Sequence, residues 1–279
     1  MKTIPTLIMA IFAVQVHAQL QSPRVSPLSE VKQTIGLSEV TVKYNRPAVR
    51  DREVFGKMIP YGKRWRTGAN ENTTITFSDP VDLGNETLAA GTYALYTQPD
   101  TNQWEIIFYK DTSNWGIPRN WDDDKVALSL KIPSKSHAFV ESFTIGFENV
   151  TLTGADLTLS WENTKVCVPF FVPTDEKMQA EIQRVMADTP KAGDYYTAAV
   201  YHLNQDLDLK KAKQWIEKAV QMRSDTFWYH RQKSLIHHKL GEKDAAVAAA
   251  QTSLELAQKA GNQNYVRINQ AQLEEWGMR

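Results

Sequence analysis

The sequence predicts a β-plus-α protein: an N-terminal antiparallel β-sandwich of jelly-roll type, followed by a C-terminal region of α-helical hairpins. Three observations carry this reading. From Glu30 to about Val172 apolar residues recur with period two. After Phe171-Val172-Pro173 the period becomes that of a helix. Within the helical part a pattern of small and apolar residues then repeats every 34 positions.

The strands are short and bounded by turn chemistry. Glu39–Tyr44, Thr73–Phe77, Thr92–Thr97, Trp104–Lys110, Val126–Ile132, Phe139–Phe147, Asp156–Trp161 and Lys165–Phe171 all alternate. Asp79-Pro80, Leu83-Gly84-Asn85, Pro99-Asp100 and Glu162-Asn163 separate them. Tyr93–Thr97 and Trp104–Tyr109 flank a polar loop and read as a hairpin. Roughly eight or nine antiparallel strands in about 150 residues suit a sandwich, with a barrel as the structural alternative.

In the second part, Thr174 or Asp175 caps a helix with Met178, Ile182, Val185 and Met186 on one face. Asp188-Thr189-Pro190 ends it. Ala212, Ile216, Ala219 and Val220 then align with Ala246, Ala250, Ser253 and Leu254. Small residues let helices approach closely, and Gly241 stands five residues before Ala246, where two helices would turn. The stretch from about Tyr195 to Ala260 resembles the tetratricopeptide (TPR) repeat, with Leu207 in place of the turn glycine in the first unit. Asn264–Trp276 is expected to close the stack. The organisation expected is a signal peptide at residues 1–18, a β domain at 25–172 and a helical region at 174–279.

The first residues, MKTIPTLIMAIFAVQVHAQ, carry one Lys, an apolar run and small residues at Val16 and Ala18. That is the form of a secretory signal peptide cut after Ala18, and it implies a periplasmic or secreted protein. No later segment reaches the roughly 18 apolar residues a membrane span needs. The 279 residues have formal charge zero, so nothing electrostatic points to nucleic acid or an anionic membrane as partner. The single cysteine, Cys167, cannot form an internal disulfide and is expected to be a buried strand residue.

The stretch YGKRWRTGANENTTITF, Tyr61–Phe77, concentrates the polar chemistry. As a structural corner, Arg66 would pair with a carboxylate and Asn70 would satisfy loop backbone. As a ligand pocket, Trp65 would offer a stacking face, and Arg66, Asn70 and Glu71 would supply hydrogen bonds. As a hydrolase site, Glu71 would need a second carboxylate from Asp122, Asp123 or Asp124. The loop Asp111–Lys125 adds Trp115 and Trp121, candidate stacking faces or lids over the core. Its Asp111, Ser113, Gly116 and Asp122 fall at positions 1, 3, 6 and 12 of a calcium loop, but Trp115 occupies an oxygen position. The histidines show no metal spacing, and no nucleophile or phosphate-loop motif occurs. No catalytic residue, metal or cofactor is therefore expected.

Tyr44-x-Arg46-Pro47, Arg52, Phe55-Gly56, Pro60-Tyr61-Gly62, Trp65-Arg66-Thr67-Gly68-Ala69-Asn70-Glu71, Thr73-Thr74 and Ala90-Gly91-Thr92-Tyr93 together resemble DUF2911, over roughly Val25 to Val172. The resemblance implies an exported bacterial envelope protein and supplies no reaction. The expectation is a non-enzymatic binding protein that takes a protein or peptide on its helical repeats. The alternative is a carbohydrate-binding module that takes envelope glycan on the loop tryptophans.

Overall fold

The structure, a computed structural model, describes residues 22–277. The segment read as a signal peptide lies outside them. The chain divides into two compact units between Thr174 and Asp175. Among the described residues, no helix is long and apolar enough to cross a membrane.

The first unit holds β1 (Leu28–Ile35), β2 (Ser38–Asn45), β3 (Thr73–Phe77), β4 (Val81–Leu83), β5 (Glu86–Leu88), β6 (Gly91–Pro99), β7 (Gln103–Tyr109), β8 (Val126–Glu148) and β9 (Gly154–Phe171). They join in one antiparallel sheet in the order β1-β2-β3-β6-β7-β8-β9-β4-β5. The expected hairpin is β6–β7, with Pro99 opposite Trp104. The Leu83-Gly84-Asn85 turn joins β4 to β5, with Gly84 at φ +66°.

Four segments read as separate strands are in fact two long ones. Val126–Ile132 and Phe139–Phe147 both lie in β8, and Asp156–Trp161 and Lys165–Phe171 both lie in β9. The turn chemistry at Glu162-Asn163 produces a kink: Glu162 sits at φ +51°, and the β8–β9 register shifts on both sides of Val140. A bulge absorbs extra residues while pairing continues, and it bends the strand.

The bend lets the sheet fold onto itself. The first third of β8 pairs with β7, and the rest pairs with β9. The returning part of β8 then meets the segment after β2. Phe143 N donates to Pro47 O at 2.8 Å, and Val49 N donates to Glu141 O at 2.8 Å. Side chains from both ends of the sheet share one core: Val42, Ile75, Leu95 and Phe108 with Phe143, Leu159, Val168 and Phe170. On the opposite face of β6 and β7, Ala94, Tyr96, Ile107 and Tyr109 form a second, small apolar cluster. Cys167 lies between buried Val166 and Val168, so the strand period turns it to the other face, where it is half-buried. The expectation of a buried cysteine is corrected on that point.

The second unit contains α1 (Thr174–Met186), α2 (Ala192–Asn204), α3 (Leu209–Met222), α4 (Phe227–Lys239), α5 (Lys243–Lys259) and α6 (Gln263–Glu275). Successive helices pack together from α2 to α6. The 34-residue recurrence is a recurrence of burial: Ala212 and Ala246, Ile216 and Ala250, and Ala219 and Ser253 are all fully buried. Gly241 turns α4 into α5 at φ +78°. In the α2–α3 turn the left-handed residue is Asp206, φ +53°, one position before the expected Leu207. A short polar side chain tolerates that conformation where leucine does not.

The fold-back has one polar rivet. The buried Tyr44 hydroxyl accepts from Ile145 N at 3.0 Å and donates to Ile145 O at 3.2 Å. Tyr44→Phe leaves both main-chain groups buried without a partner, so it is expected to destabilise the β unit by about 1–3 kcal/mol. Urea unfolding of wild type and variant measures this, and an unchanged midpoint would mean that the hydroxyl does not close the fold.

Candidate functional site

The run Trp65–Glu71 is the corner that delivers the chain into β3. Trp65 is clamped to β6 by paired main-chain bonds: Trp65 N to Thr97 O at 2.7 Å, and Thr97 N to Trp65 O at 3.0 Å. Its ring lies 4.9 Å from Phe143 and stacks on Trp161 at 5.6 Å, with Trp104 and Phe55 edge-on beside it. Nε1 donates to Gly68 O at 2.9 Å. At 8% exposure this ring is core, which corrects the expectation of a stacking face.

To pass from that anchor to β3 the chain adopts left-handed geometry at Thr67 (φ +54°) and Asn70 (φ +57°). Buried hydrogen bonds hold Thr67: its hydroxyl donates to Thr97 Oγ1 at 3.1 Å, and its carbonyl accepts from Thr73 Oγ1 at 2.6 Å. Gly68, at φ +155°, is required because a Cβ there would stand 2.9 Å from Asn45 O. Arg66 donates to Asn70 O at 2.6 Å. No carboxylate pairs with it among the described residues, so the expected ion pair is replaced by a carbonyl. Asn70 Nδ2 donates to Ser26 O and to Asn45 Oδ1, both at 3.3 Å. Glu71 receives Arg24 on both oxygens at 2.9 and 2.8 Å, and Asn45 Nδ2 at 3.0 Å.

The Asp111–Lys125 loop leans on this corner. Gly116, at φ +90°, lies flat against Arg66, where a Cβ would come within 2.9 Å of the guanidinium carbon. The Tyr96 hydroxyl donates to Gly116 O at 2.9 Å. Burial pushes that phenol up to about 12, so it remains a donor at ordinary pH. Asp111 folds the loop start by accepting from Ser113 N and Oγ at 3.1 and 2.8 Å, and it pairs with Lys125 at 3.2 Å. Those Ser113 bonds, with Lys125, pull its carboxyl down to about 2. The first position of the calcium template is thus occupied by the loop's own donors. Among the described residues no group of three or more His, Cys, Asp or Glu is placed to hold a metal ion.

The two loop tryptophans have different fates. Trp121 packs on Tyr109 at 4.4 Å and Tyr96 at 5.3 Å, donates to Asp123 at 2.8 Å, and carries the Arg64 guanidinium 4.1 Å from its ring centre. It bolts the loop to the outer sheet face. Trp115 is 68% exposed, and of the eight tryptophans only it is exposed.

Trp115 stands between two clefts. One, of about 500 Å³, is walled by Arg50, Arg52, Arg66 and Asn70, with Trp65 and Trp161 showing at its floor. The other, of about 530 Å³, is lined by Arg24, Asn45, Glu71 and Asn114. Of the candidate residues, Trp65, Arg66, Asn70 and Trp115 therefore share one cleft, and Glu71 shares the second with Trp115. Trp121 lines neither, and neither do Asp122, Asp123 or Asp124.

The profile of the family described as "Protein of unknown function (DUF2911)" matches residues 26–170. The chain belongs to the DUF2911 family. No curated protein and no solved structure matches the chain. The family match covers the whole corner and every lining residue of both clefts except Val25 and Arg24. Sequence reading left Arg24 and Arg50 out of the site and gave Arg52 no role in it. The signal available was Arg46, Arg50 and Arg52 within seven residues, next to a run already rich in arginine.

The helical unit has a separate cleft of about 390 Å³, lined by Glu217, His230, Lys233, His237, Ala248 and Thr252. His237 is buried. Its Nδ1 lies 2.5 Å from Glu242, while Nε2 has no hydrogen-bond partner and stands 3.8 Å from Glu217.

A main-chain hydrogen bond, helped by Arg24 and Asn45, holds the Glu71 carboxyl below the usual value. A lowered folded pKa stabilises above the unfolded value of 4.5, and that stabilisation is lost as pH falls through the folded value. The Arg24 and Glu71 side chains are 51% and 40% exposed, so screening limits the effect to less than about 1 kcal/mol. Glu71→Gln is expected to lower stability at pH 7 by that amount, with a gap that is narrower at pH 3, below the unfolded value. Unfolding curves at both pH values check it, and a gap that does not narrow at low pH would sink the electrostatic account.

Proposed function

We propose that this chain is an exported, non-enzymatic binding protein of the bacterial cell envelope. Its DUF2911 unit binds a glycan whose ring stacks on Trp115. The observation that carries this reading is the exposed Trp115 ring at the junction of two clefts, on a loop held by the Trp121 bolt and the Gly116–Arg66 contact. An exposed indole is costly in water and suits an apolar sugar face. Envelope location rests on the form of residues 1–18. The folded sheet is read here as a jelly-roll-like sandwich, an architecture that presents binding loops at its edges.

The geometry favours binding over hydrolysis. Glu71 is held ionised by three hydrogen bonds from Arg24 Nη1 and Asn45 Nδ2, the opposite of a general acid, and the aspartates it would need line neither cleft. Trp115→Ala is expected to weaken glycan binding about tenfold while leaving the melting temperature unchanged. Titration calorimetry against oligosaccharides picked from a glycan array provides the measurement. Equal affinity in wild type and variant would end the reading.

A second reading concerns the helical unit, and the orphaned His237 Nε2 favours it. We read α2 to α5 as a short TPR-like stack, with α6 as its cap, that takes a peptide in the His237 cleft. A peptide polar group would supply the partner His237 lacks. Peptide-display panning on the full chain is expected to return ligands whose binding is lost in Ala248→Arg and retained in Trp115→Ala. Ligands indifferent to Ala248→Arg would exclude this cleft.

A further inference from the structure

Arg50, Arg52 and Arg66 wall one side of the Trp115 cleft, and their fixed contacts share one feature. Each guanidinium is held by neutral main-chain carbonyls. Arg50 Nη2 donates to Val25 O at 3.0 Å. Arg52 Nε and Nη2 donate to Val49 O and Ala48 O at 2.9 and 2.6 Å. Arg66 Nη1 donates to Asn70 O at 2.6 Å. Carbonyls orient a guanidinium without neutralising it.

The other cations of this unit divide: Arg46 and Lys110 also donate to main-chain carbonyls. Arg24, Lys32, Lys43, Lys125 and Lys165 each pair with a carboxylate. Among the described residues, Arg50, Arg52 and Arg66 form no ion pair, and no carboxylate lines their cleft. Glu141, the acid nearest in hydrogen-bond terms, takes the Arg50 main-chain N–H at 3.0 Å and not its side chain. Glu71 sits in the neighbouring cleft and is already matched by Arg24. Three uncompensated like charges therefore converge on a concave site in a chain of formal charge zero. Concave walls of low polarisability concentrate such a field, and most of the planar N–H donors remain free to meet an oxyanion in forked geometry.

The same cleft carries the exposed Trp115 ring. From that juxtaposition we infer that the site selects acidic saccharides, with the sugar ring on Trp115 and its carboxylate or sulfate group held by Arg50, Arg52 and Arg66. The inference rests on the glycan reading above and adds the charge of the ligand to it. Lysine would not serve equally, because the ammonium is a point donor and lacks the planar fork.

The test uses the full chain without its first 18 residues and four probes: oligogalacturonate, its methyl ester, a sulfated galactan oligosaccharide and inorganic sulfate. The ester keeps the ring and removes the charge. Oligogalacturonate is expected to bind at least about tenfold more tightly than the ester, with an affinity that falls as NaCl rises. The pair Arg50→Gln and Arg52→Gln, whose amides can still reach the carbonyls the arginines brace, is expected to erase that preference while the protein stays folded and still binds the ester. Arg66 is left alone because it also braces the corner. If the sulfated oligosaccharide shows the same gain over the ester and the uronate does not, the oxyanion is sulfate and the inference holds in that form. Equal binding of acid and ester, abolished by Trp115→Ala, keeps the glycan reading and overturns this one. Binding of sulfate alone, lost in the glutamine pair, keeps the anion site and overturns the glycan reading. Acid binding that the glutamine pair leaves intact overturns the assignment to these arginines.

Discussion

The geometry of the DUF2911 unit depends on the burial of Trp65. Its indole is wedged among Phe55, Trp104, Phe143 and Trp161, which come from four different parts of the chain. Removing such a ring from a packed core costs about 3–5 kcal/mol, a large share of the 5–15 kcal/mol that holds a typical domain together. Because the backbone of Trp65 is also clamped to Thr97, ring and main chain are both fixed. The residues after it have no freedom to relax. They must reverse within one corner to reach β3, and the left-handed Thr67 and Asn70 are the consequence.

Backbone of that kind stores roughly 1–3 kcal/mol at a β-branched residue, less at asparagine. Buried hydrogen bonds contribute about 1 kcal/mol each, and Thr67 alone takes part in two at 3.1 Å or shorter. The strain is thus held by contacts that exist only in this conformation. A rigid corner follows, and with it fixed directions for the groups it carries. Arg66 cannot swing away, because Asn70 O holds it on one side and Gly116 covers its face. The corner is structural in its inner contacts and presents polar groups on its outer surface, so the two readings of this stretch describe two sides of one element.

The parts of this arrangement that sequence displays are the local ones. Period-two alternation marks Thr73–Phe77 and the β6–β7 hairpin because neighbouring residues face opposite sides of a sheet. The helical recurrence is visible because the same close helix contact demands small residues each time. The burial of Trp65 was not visible: a corner has no period, and its packing partners are remote in sequence. The same holds for the fold-back, where Tyr44 reaches Ile145 across 101 positions, and for Glu71, whose partner Arg24 lies 47 positions away. Trp115 and Trp121 share one loop and one residue type, yet only Trp121 finds tyrosines to cover it. Nothing within the loop distinguishes them, because Tyr96 and Tyr109 belong to the sheet beneath.

Charge is partitioned across the same corner. Asn45 and Asn70 stand between the Arg24–Glu71 pair and the Arg66 side, joined to each other by a neutral hydrogen bond. Glu71 takes its side-chain hydrogen bonds from Arg24 and Asn45 within its own cleft. If Glu71 had paired with Arg66, as a compact corner could allow, the cleft beside Trp115 would lose part of its charge and the corner would need no other brace. Instead Arg66 is braced by a carbonyl and keeps its charge. The bond from that guanidinium to Asn70 O is already charge-assisted, and a carboxylate partner would have added Coulomb attraction and cancelled the charge. Arg66 thus brings a full positive charge to the cleft that also carries Trp115, the one tryptophan that folding leaves exposed.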